Sequence, residues 1–364
     1  MSASTRLEVS LEALAHNYHH LRSLIPDSTE LMAVVKANAY GTDLLRLSKE
    51  LDILGANSFC VAYVDEGVAL RNAGISKPIL VIHAQIDSLE KGVNAGLDFS
   101  LYSLDFIYHL AKVAHGRKKQ TTVHLNLNTG LNRLGIKPNE LEEACSTLLA
   151  SPQLHLGWMM THLAASEDHS LLDFTRSQLE QFSARHKRAE QIMRTSIKRH
   201  ALNSSGVHNY GHAAFEAVRT GISLHGFAND PLLDQRLKPI SSLISSISAI
   251  REIEAGDSVS YNRLFVADRP MRIATIGLGH ADGIHRSLGH SGFEVLINGQ
   301  RARAVGMICM DLFMVDVTHI DCSLHDEVLV FGPHNSAEMI SRQADTISYE
   351  LLTGIGQRVP RTFV

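Results

Sequence analysis

The sequence has few of the features that mark secreted, membrane-spanning or metal-binding proteins. Of its 364 residues only four are cysteines, and Cys60, Cys145, Cys309 and Cys322 form neither a short metal-binding pair nor a disulfide pattern. Residues 1–8 lack a basic segment followed by an apolar stretch, so we expect no signal peptide. No run of 18 apolar residues occurs, so we expect no membrane contact. A reducing, cytoplasmic setting fits these features best.

A basic surface is also missing. The net charge is -4, from 34 Lys and Arg against 38 Asp and Glu, which gives no electrostatic reason to expect nucleic acid as a partner. None of the 21 histidines stands in a His-Glu-x-x-His or comparable spacing, so we predict no metal site. What is present is a 45% hydrophobic and 20% charged composition, which is typical of a globular protein with an ordinary core.

Residues 1–237 alternate short β-branched runs with stretches of helical period, such as 10–24 with Ser10 as N-cap, and 171–193. Strong strand signals lie at 31–35, 59–63, 79–82, 122–126 and 156–160, and weaker ones at 99–101, 201–202 and 222–224. About eight strand-helix units predict an α/β fold, a (β/α)8 TIM-like barrel. An open doubly wound sheet is the alternative, but no Gly-x-Gly-x-x-Gly follows an early strand.

Residues 238–364, beginning at Lys238-Pro239, predict a mostly β second domain. The turn residues Asn298-Gly299 are a strong hairpin signal, and only residues 336–353 have a helical pattern. Strands are predicted at 243–250, 258–265, 271–276, 293–297, 302–305, 314–317 and 328–331.

One lysine stands where a barrel enzyme has its active site. Lys36, in the segment Ala33-Val-Val-Lys-Ala-Asn-Ala-Tyr-Gly41, follows a buried strand, and the carboxyl ends of barrel strands face the active-site mouth. A lysine there can form a Schiff base, and partial burial lowers its pKa. For a random lysine a surface loop is the commoner setting.

The Lys36 segment closely resembles the cofactor-lysine signature of the alanine racemases, except that Thr42-Asp43 replace the usual His-Gly. Further segments resemble that family in the same order along the chain. They are 128–136, 161–164, 203–205, 218–222, 257–261, 279–283, 306–311 and 349–361.

The resemblance implies how pyridoxal 5′-phosphate would be held. Lys36 would bind it covalently, His162 would lie by its ring, and Asn203 would belong to the same cofactor site. Tyr40, Ser204 and the backbone of Gly221 and Ile222 would bind the phosphate. Arg219, supported by His200, would face the pyridine nitrogen and leave it unprotonated, because arginine does not give up its proton at neutral pH. The residues concerned are Lys36, Tyr40, His162, His200, Asn203, Ser204, Arg219, Gly221 and Ile222.

The resemblance also implies a two-base racemisation of L- and D-alanine, which supplies D-alanine for peptidoglycan. Lys36 and Tyr261 would serve opposite faces of the planar intermediate, with Tyr261 coming from the partner subunit of a homodimer. Met310 and Asp311 of the partner would lie near the substrate, and Arg133 would reach the cofactor's phenolic oxygen on the substrate side. Taken alone, Tyr261 is more simply a half-buried strand tyrosine.

Three departures from the family pattern surround the substrate site rather than the proton-transfer groups. Asn126 replaces a lysine that is carbamylated in many relatives, so a small anion or a direct amide bond is expected to serve Arg133. His280 and Gln357 replace tyrosines. Because both add hydrogen-bonding capacity, a racemase acting on serine stays an alternative. A related decarboxylase fits the Tyr261 segment less well. A non-catalytic pyridoxal-phosphate carrier lacks the residues beyond Lys238.

Overall fold

Eight parallel strands close into a barrel in the computed structural model, which describes residues 4–364. The short apolar runs form these strands because helices cover the barrel outside and side chains fill it inside; Ser58–Val61, for example, is buried throughout. The predicted barrel is confirmed. Its strands are β2 (Glu30–Val34), β3 (Ser58–Val61), β4 (Ile79–Val81), β5 (Asp98–Leu101), β6 (Thr121–Asn126), β7 (Leu154–Met160), β8 (Lys198–His200) and β9 (Ala217–Thr220).

The helices carry the expected caps. Ser10 accepts a hydrogen bond from the Ala13 backbone at the start of the first helix, as predicted, and the predicted helix at 171–193 is also present. No helix within residues 4–364 is long and apolar enough to cross a membrane. Those around the barrel are α1 (Leu11–Ser23), α2 (Lys36–Tyr40), α3 (Leu44–Leu54), α4 (Val64–Asn72), α5 (Leu89–Asn94), α6 (Leu104–Arg117), α7 (Leu141–Leu149), α8 (Leu172–Met193), α9 (Ser204–Tyr210) and α10 (Pro231–Asp234).

The last two barrel strands lie before their predicted positions. The predicted strand at 201–202 is wrong, since β8 ends at His200, and residues 222–224 belong to a 3-10 helix, Ile222–His225. Both true strands carry charged residues, Arg199 in β8 and Arg219 in β9, and these hid the apolar pattern of a barrel strand.

A second, mostly antiparallel sheet follows the barrel. Its strands are β1 (Arg6–Val9), β10 (Ser241–Ile253), β13 (Met271–Ile276), β14 (Glu294–Ile297), β15 (Gln300–Val305), β16 (Phe313–Asp316), β17 (Glu327–Phe331) and β18 (Arg361–Phe363). They lie in the order β13-β16-β15-β14-β17-β10-β1-β18. The strands from the two chain ends, β1 and β18, were not predicted, and β1 pairs with both β10 and β18. The division at residues 237/238 stays a prediction.

The Asn298-Gly299 hairpin is confirmed, because Ile297 pairs with Gln300 across it. Residues 336–353 form two helices, α11 (Ala337–Gln343) and α12 (Ser348–Thr353), instead of one. The continuous strand predicted at 258–265 is wrong. That segment is a small hairpin of β11 (Ser258–Val259) and β12 (Phe265–Val266), with a 3-10 turn at Tyr261–Arg263 between them.

The hairpin turns because three residues adopt left-handed backbone angles. The φ angles of Ser260, Asn262 and Arg263 are 73°, 58° and 51°, a region closed to an extended strand. The turn places Tyr261 at the tip of the hairpin, with 67% of its surface exposed.

Candidate active site

A cavity of about 340 Å³ opens at the carboxyl ends of the barrel strands. In barrels this edge collects the side chains that follow each strand, and most of the predicted cofactor residues do follow one. The cavity is lined by the predicted residues Lys36, Tyr40, Arg133, His162, Asn203, Ser204, Arg219, Gly221 and Ile222, with Asn126 and Tyr349 among their neighbours. Its lining includes three cationic side chains and no carboxylate among the described residues, so the cavity favours an anionic ligand.

Lys36 is followed by a left-handed turn. Ala37, Asn38, Ala39 and Tyr40 have φ angles of 55°, 54°, 50° and 53°, and left-handed backbone costs roughly 1–2 kcal/mol for each non-glycine residue. Such strain persists only where the surroundings enforce it, and it concentrates at functional sites. The turn directs Lys36 and Tyr40 to the same cavity.

The Glu66 carboxylate holds this turn in place. Its Oε1 accepts a hydrogen bond from the Ala37 backbone amide at 2.6 Å, and its Oε2 accepts from the amides of Ala62 and Tyr63 at 2.8 and 3.1 Å. Hydrogen bonds to a charged acceptor are among the stronger ones in proteins. Glu66 therefore ties the strained turn after β2 to the loop after β3.

Protein atoms surround the Lys36 amine closely, although the side chain is accessible through the cavity. Desolvation by burial lowers the pKa of Lys36, and the nearby Arg133 charge lowers it further, while Glu66 opposes both. A lowered pKa leaves more of the amine neutral near pH 7. The neutral amine is the form that attacks an aldehyde or takes up a proton.

Tyr40, Ser204 and Gly221 form a cradle of hydroxyl and amide groups. Ser204 Oγ accepts a hydrogen bond from the Gly221 amide at 3.0 Å. A Cβ atom on Gly221 would lie 2.1 Å from Tyr40 Oη, so only glycine leaves room there. Asn203 stabilises the backbone that carries Ser204, because its Oδ1 accepts a hydrogen bond from the Gly206 amide and so caps α9. Hydroxyls and amides of this kind suit a phosphate group.

Tyr349 is a cavity residue that the sequence analysis did not single out. Its ring centroid lies 6.0 Å from that of Tyr40, and burial raises the pKa of its hydroxyl. The one feature of the sequence that could have identified Tyr349 is its position at the start of the 349–361 segment, which resembles the family. Two tyrosine hydroxyls therefore belong to this end of the cavity.

Arg219 is buried, with its two terminal nitrogens already engaged. Nη1 donates to His200 Nδ1 at 2.6 Å, and Nη2 donates to the carbonyls of Thr161 and Ala201 at 2.9 and 3.2 Å. Burial lowers the pKa of Arg219 to about 10, so it remains charged at neutral pH. Its Nε makes no hydrogen bond to any residue in the 4–364 range, and can donate to a ligand atom that has a lone pair.

His162 and His200 flank Arg219 on different sides. His162 Nδ1 lies 3.4 Å from Arg219 Nη2, and because a guanidinium only donates, this nitrogen accepts and Nε2 carries the proton. Burial, followed by the Arg219 charge, lowers the pKa of His162 to about 3. His200 is fully buried behind Arg219 and does not line the cavity, but it supports Arg219 as expected.

The predicted residues of the second domain lie outside this cavity. Tyr261 and Met310 are 67% and 59% exposed, and Asp311 is exposed as well. Next to Met310, Arg358 bridges two acidic residues. Its Nε lies 2.6 Å from Asp282 Oδ1, and its Nη2 lies 2.7 Å from Asp311 Oδ1.

His280 and Gln357 are also exposed, and neither of them lines the cavity. The departures from the family pattern at these two positions therefore belong to the second domain's surface.

Asn126 and Arg133 do not form the direct bond that was one expectation. No hydrogen bond joins them among the contacts of residues 4–364, and Arg133 is exposed at the cavity mouth. Asn126 is only 7% exposed and lines the cavity, which rules out a solvent-facing strand cap.

The residues present fit pyridoxal phosphate. Lys36 offers an amine for its aldehyde, the Tyr40–Ser204–Gly221 cradle suits its phosphate, and Arg219 Nε suits an unprotonated ring nitrogen. Residues 4–364 contain no group of three His, Cys, Asp or Glu side chains that could hold a metal ion.

Comparison with known proteins covers nearly the whole chain. Family models described as "Alanine racemase, N-terminal domain" and "Alanine racemase, C-terminal domain" match residues 9–229 and 240–363. "Alanine racemase 2" of Caldanaerobacter subterraneus subsp. tengcongensis is 32% identical over 369 residues, 99% of this chain and 95% of that protein. The alanine racemase of Geobacter sulfurreducens is 35% identical over 379 residues, 100% and 98% of the two chains.

Solved structures agree with these relatives. The crystal structure of alanine racemase from D-cycloserine producing Streptomyces lavendulae matches with a TM-score of 0.94 and 28% identity, and the match covers 100% of this chain and 98% of that one.

Proposed function

The chain belongs to the alanine racemase family, and from this premise we propose that it interconverts L-alanine and D-alanine with pyridoxal 5′-phosphate held by Lys36. The observation that carries the proposal is the cavity itself. It combines a lysine of lowered pKa, a hydroxyl-amide cradle and an arginine with a free Nε on one barrel edge.

When bound, the cofactor makes the α-proton of an amino acid acidic. Arg219 keeps the ring nitrogen unprotonated, because it only donates and keeps its own proton near neutral pH. Tyr40, Ser204 and Gly221 would hold the phosphate through their hydroxyl and amide groups, and Lys36 would hold the aldehyde carbon. Arg133 at the cavity mouth attracts the substrate carboxylate.

Racemisation needs one proton-transfer group on each face of the substrate. Lys36 Nζ moves the proton on one face, and Tyr261 of the partner subunit moves it on the other. His162 supports the second role, because its Nε2–H is free to donate to a tyrosine oxygen that reaches the cavity mouth. A positioned acid or base generally raises a reaction rate by about 10²–10⁴-fold, and we expect each group of this pair to do the same.

The exposed surface around Tyr261 supports a homodimer. Leu264, Val266, Met310 and Leu312 are 45%, 48%, 59% and 40% exposed, and several exposed apolar side chains near one another mark interaction sites. The product D-alanine would serve peptidoglycan synthesis. The cytoplasmic location stays a prediction.

Two inactive variants test the shared site. Lys36→Ala and Tyr261→Phe should each be inactive alone, whereas a mixture with exchanged subunits should regain activity, because one site of each heterodimer has both groups intact. No recovery after proven exchange would contradict sharing. Borohydride reduction followed by peptide mapping should place the cofactor on Lys36, and labelling of another lysine would overturn that assignment.

A further inference from the structure

A buried row of side chains leads from Arg219 through the barrel to its opposite end. Arg219 Nη1 lies 2.6 Å from His200 Nδ1, and His200 Nε2 lies 2.8 Å from His124 Nδ1. His124 Nε2 then faces Asp98 Oδ2 at 3.9 Å. His124 and His200 are 2% and 0% exposed, so the contacts between them are shielded from solvent.

Only one arrangement of protons satisfies this row. Arg219 can only donate, so His200 Nδ1 accepts and its single proton sits on Nε2. That proton points at His124 Nδ1, which must therefore accept as well. The proton of His124 then sits on Nε2, 3.9 Å from Asp98 Oδ2, where it makes no hydrogen bond but lies close to the carboxylate charge. The charge at the end of the row favours this arrangement, since a carboxylate attracts the N–H dipole.

We propose that Asp98 and His124 are positioning residues that fix the ring tautomer of His200 and thereby hold the Arg219 guanidinium in the orientation that serves the cofactor's ring nitrogen. The proposal deepens the function proposed above and rests on it for the role of Arg219. Neither residue touches the cavity that contains Lys36.

Asp98 is the carboxylate available for this role at the barrel floor. A second cavity there, of about 430 Å³, is lined by Glu30, Asp98, His124, His155 and Lys198, among others. Glu30 is already paired with Lys198, whose Nζ lies 2.8 Å from its Oε1. Asp98 makes no side-chain hydrogen bond to another residue among those described, and it is the acidic group facing His124.

The two imidazoles are neutral, as the row requires. Burial lowers the pKa of His124, although Asp98 opposes this, and burial with the Arg219 charge lowers the pKa of His200 well below its usual range. Trp158 locks the rings sterically: it stacks on His124 at a centroid distance of 5.6 Å and meets His200 edge-on at 5.6 Å. Rotation of either ring is therefore restricted.

The test combines Asp98→Asn and His124→Phe with Glu30→Gln, a matched removal of the neighbouring carboxylate. Imidazole ¹⁵N chemical shifts, measured without added cofactor, report which ring nitrogen of His200 is protonated. In the wild type and in Glu30→Gln we expect Nε2 to be protonated. In His124→Phe and Asp98→Asn the Nε2 proton of His200 loses its acceptor or the charge that orients that acceptor. We therefore expect Arg219 to release His200 Nδ1 in part of the molecules, and the His200 signals to move toward a mixture of tautomers.

Asp98→Asn and His124→Phe should also bind pyridoxal phosphate roughly tenfold more weakly, because an Arg219 side chain that is less firmly held loses part of one charged hydrogen bond to the cofactor. The Lys36 labelling should be unchanged. A His200 tautomer that is unaffected by both Asp98→Asn and His124→Phe overturns the proposal. If His124→Phe fails to fold, Asp98→Asn decides alone. If the tautomer shifts while the wild type shows no racemisation, the row stands and the proposed function fails.

Discussion

The two halves of the proposed site differ in how completely one chain builds them. The barrel half is enclosed: Arg219 and Ser204 are 4% and 6% exposed, and each has protein hydrogen bonds. The second-domain half lies open, with Tyr261 and Met310 more than half exposed on a different part of the chain. One chain therefore presents Lys36, one proposed proton-transfer group, in the cavity of its barrel and Tyr261, the other, on a surface.

This difference is consistent with the proposed homodimer. Under the proposed function, a barrel pocket with Lys36 alone would hold the cofactor and serve one face of a substrate. An exposed tyrosine beside apolar side chains gains a defined environment only when another surface covers it. Cofactor binding would then belong to the single chain, whereas racemisation in both directions would belong to the proposed assembly.

Tyr261→Phe should separate the two halves with the largest effect. Removing one hydroxyl should lower racemisation by about 10²–10⁴-fold, because a positioned acid-base group is lost. Cofactor affinity and the absorption spectrum should not change, since Tyr261 is outside the barrel cavity. Rates measured from both enantiomers would check this. Near-normal racemisation by the variant would show that the second domain contributes no base, and the two halves would then not be functionally distinct.

Glu66→Ala should damage the barrel half without touching the cofactor site directly. It removes the acceptor of three backbone amides and so releases the left-handed turn after Lys36. We expect cofactor affinity to fall about tenfold, consistent with the loss of a charged hydrogen bond, and the unfolding temperature to fall by a few degrees. Titration of the protein with pyridoxal phosphate measures the first effect.

Glu66→Gln is the intermediate variant, because it keeps one acceptor oxygen but turns an NH2 group toward the other backbone amides. It should therefore bind the cofactor more tightly than Glu66→Ala and more weakly than the wild type. Unchanged affinity in both variants would mean that Glu66 does not hold the turn.

The barrel could be predicted from the sequence because five of its first six strands have strong strand signals and the other, at 99–101, has a weaker one. The last two could not be placed, since β8 and β9 carry Arg199, His200 and Arg219 where the pattern requires apolar residues. The hairpin at Tyr261 was missed for another reason: Ser-Tyr-Asn-Arg can be read as a strand until the left-handed angles of Asn262 and Arg263 are known. Pairing between the chain ends, as in β1 and β18, leaves no local signal.

The residues of the site also divide into those that the sequence analysis named and those that it did not. Residues in the segments that resemble the family, such as Lys36 and Ser204, line the cavity, and their roles there stay predictions. Glu66 and His124 were not found, because their roles arise from contacts between loops or strands that are distant in sequence. A glutamate near a helix start reads as an ordinary first-turn residue, and a histidine within an apolar strand reads as core.

Arg358→Ala tests the second-domain half with a smaller effect. Arg358 ties Asp282 to Asp311, next to Met310, so its removal should loosen the surface that carries Met310. We expect KM for alanine to rise about threefold with kcat little changed, the signature of weakened binding rather than lost chemistry. Cofactor affinity should stay constant. Arg358→Lys should rescue little, because an ammonium cannot bridge the two carboxylates as a guanidinium does. A fall in cofactor affinity instead would show that the two halves are coupled within one chain.

A change at Asn126 should have the smallest effect on activity. The test compares racemisation rates in two salts. An asparagine cannot be carbamylated, so wild-type activity should be indifferent to added bicarbonate. The cavity has cationic residues and, among the described residues, no carboxylate in its lining, so a small anion such as chloride is the expected substitute, with a modest effect on rate.

Asn126→Lys should introduce bicarbonate dependence of about twofold, the scale of a charge pair with the exposed Arg133. Racemisation measured in matched bicarbonate and chloride series, with the ionic strength held constant, checks both expectations. Bicarbonate dependence in the wild type would mean that another amine carries the carbamate, and the barrel half would then depend on more than the groups described.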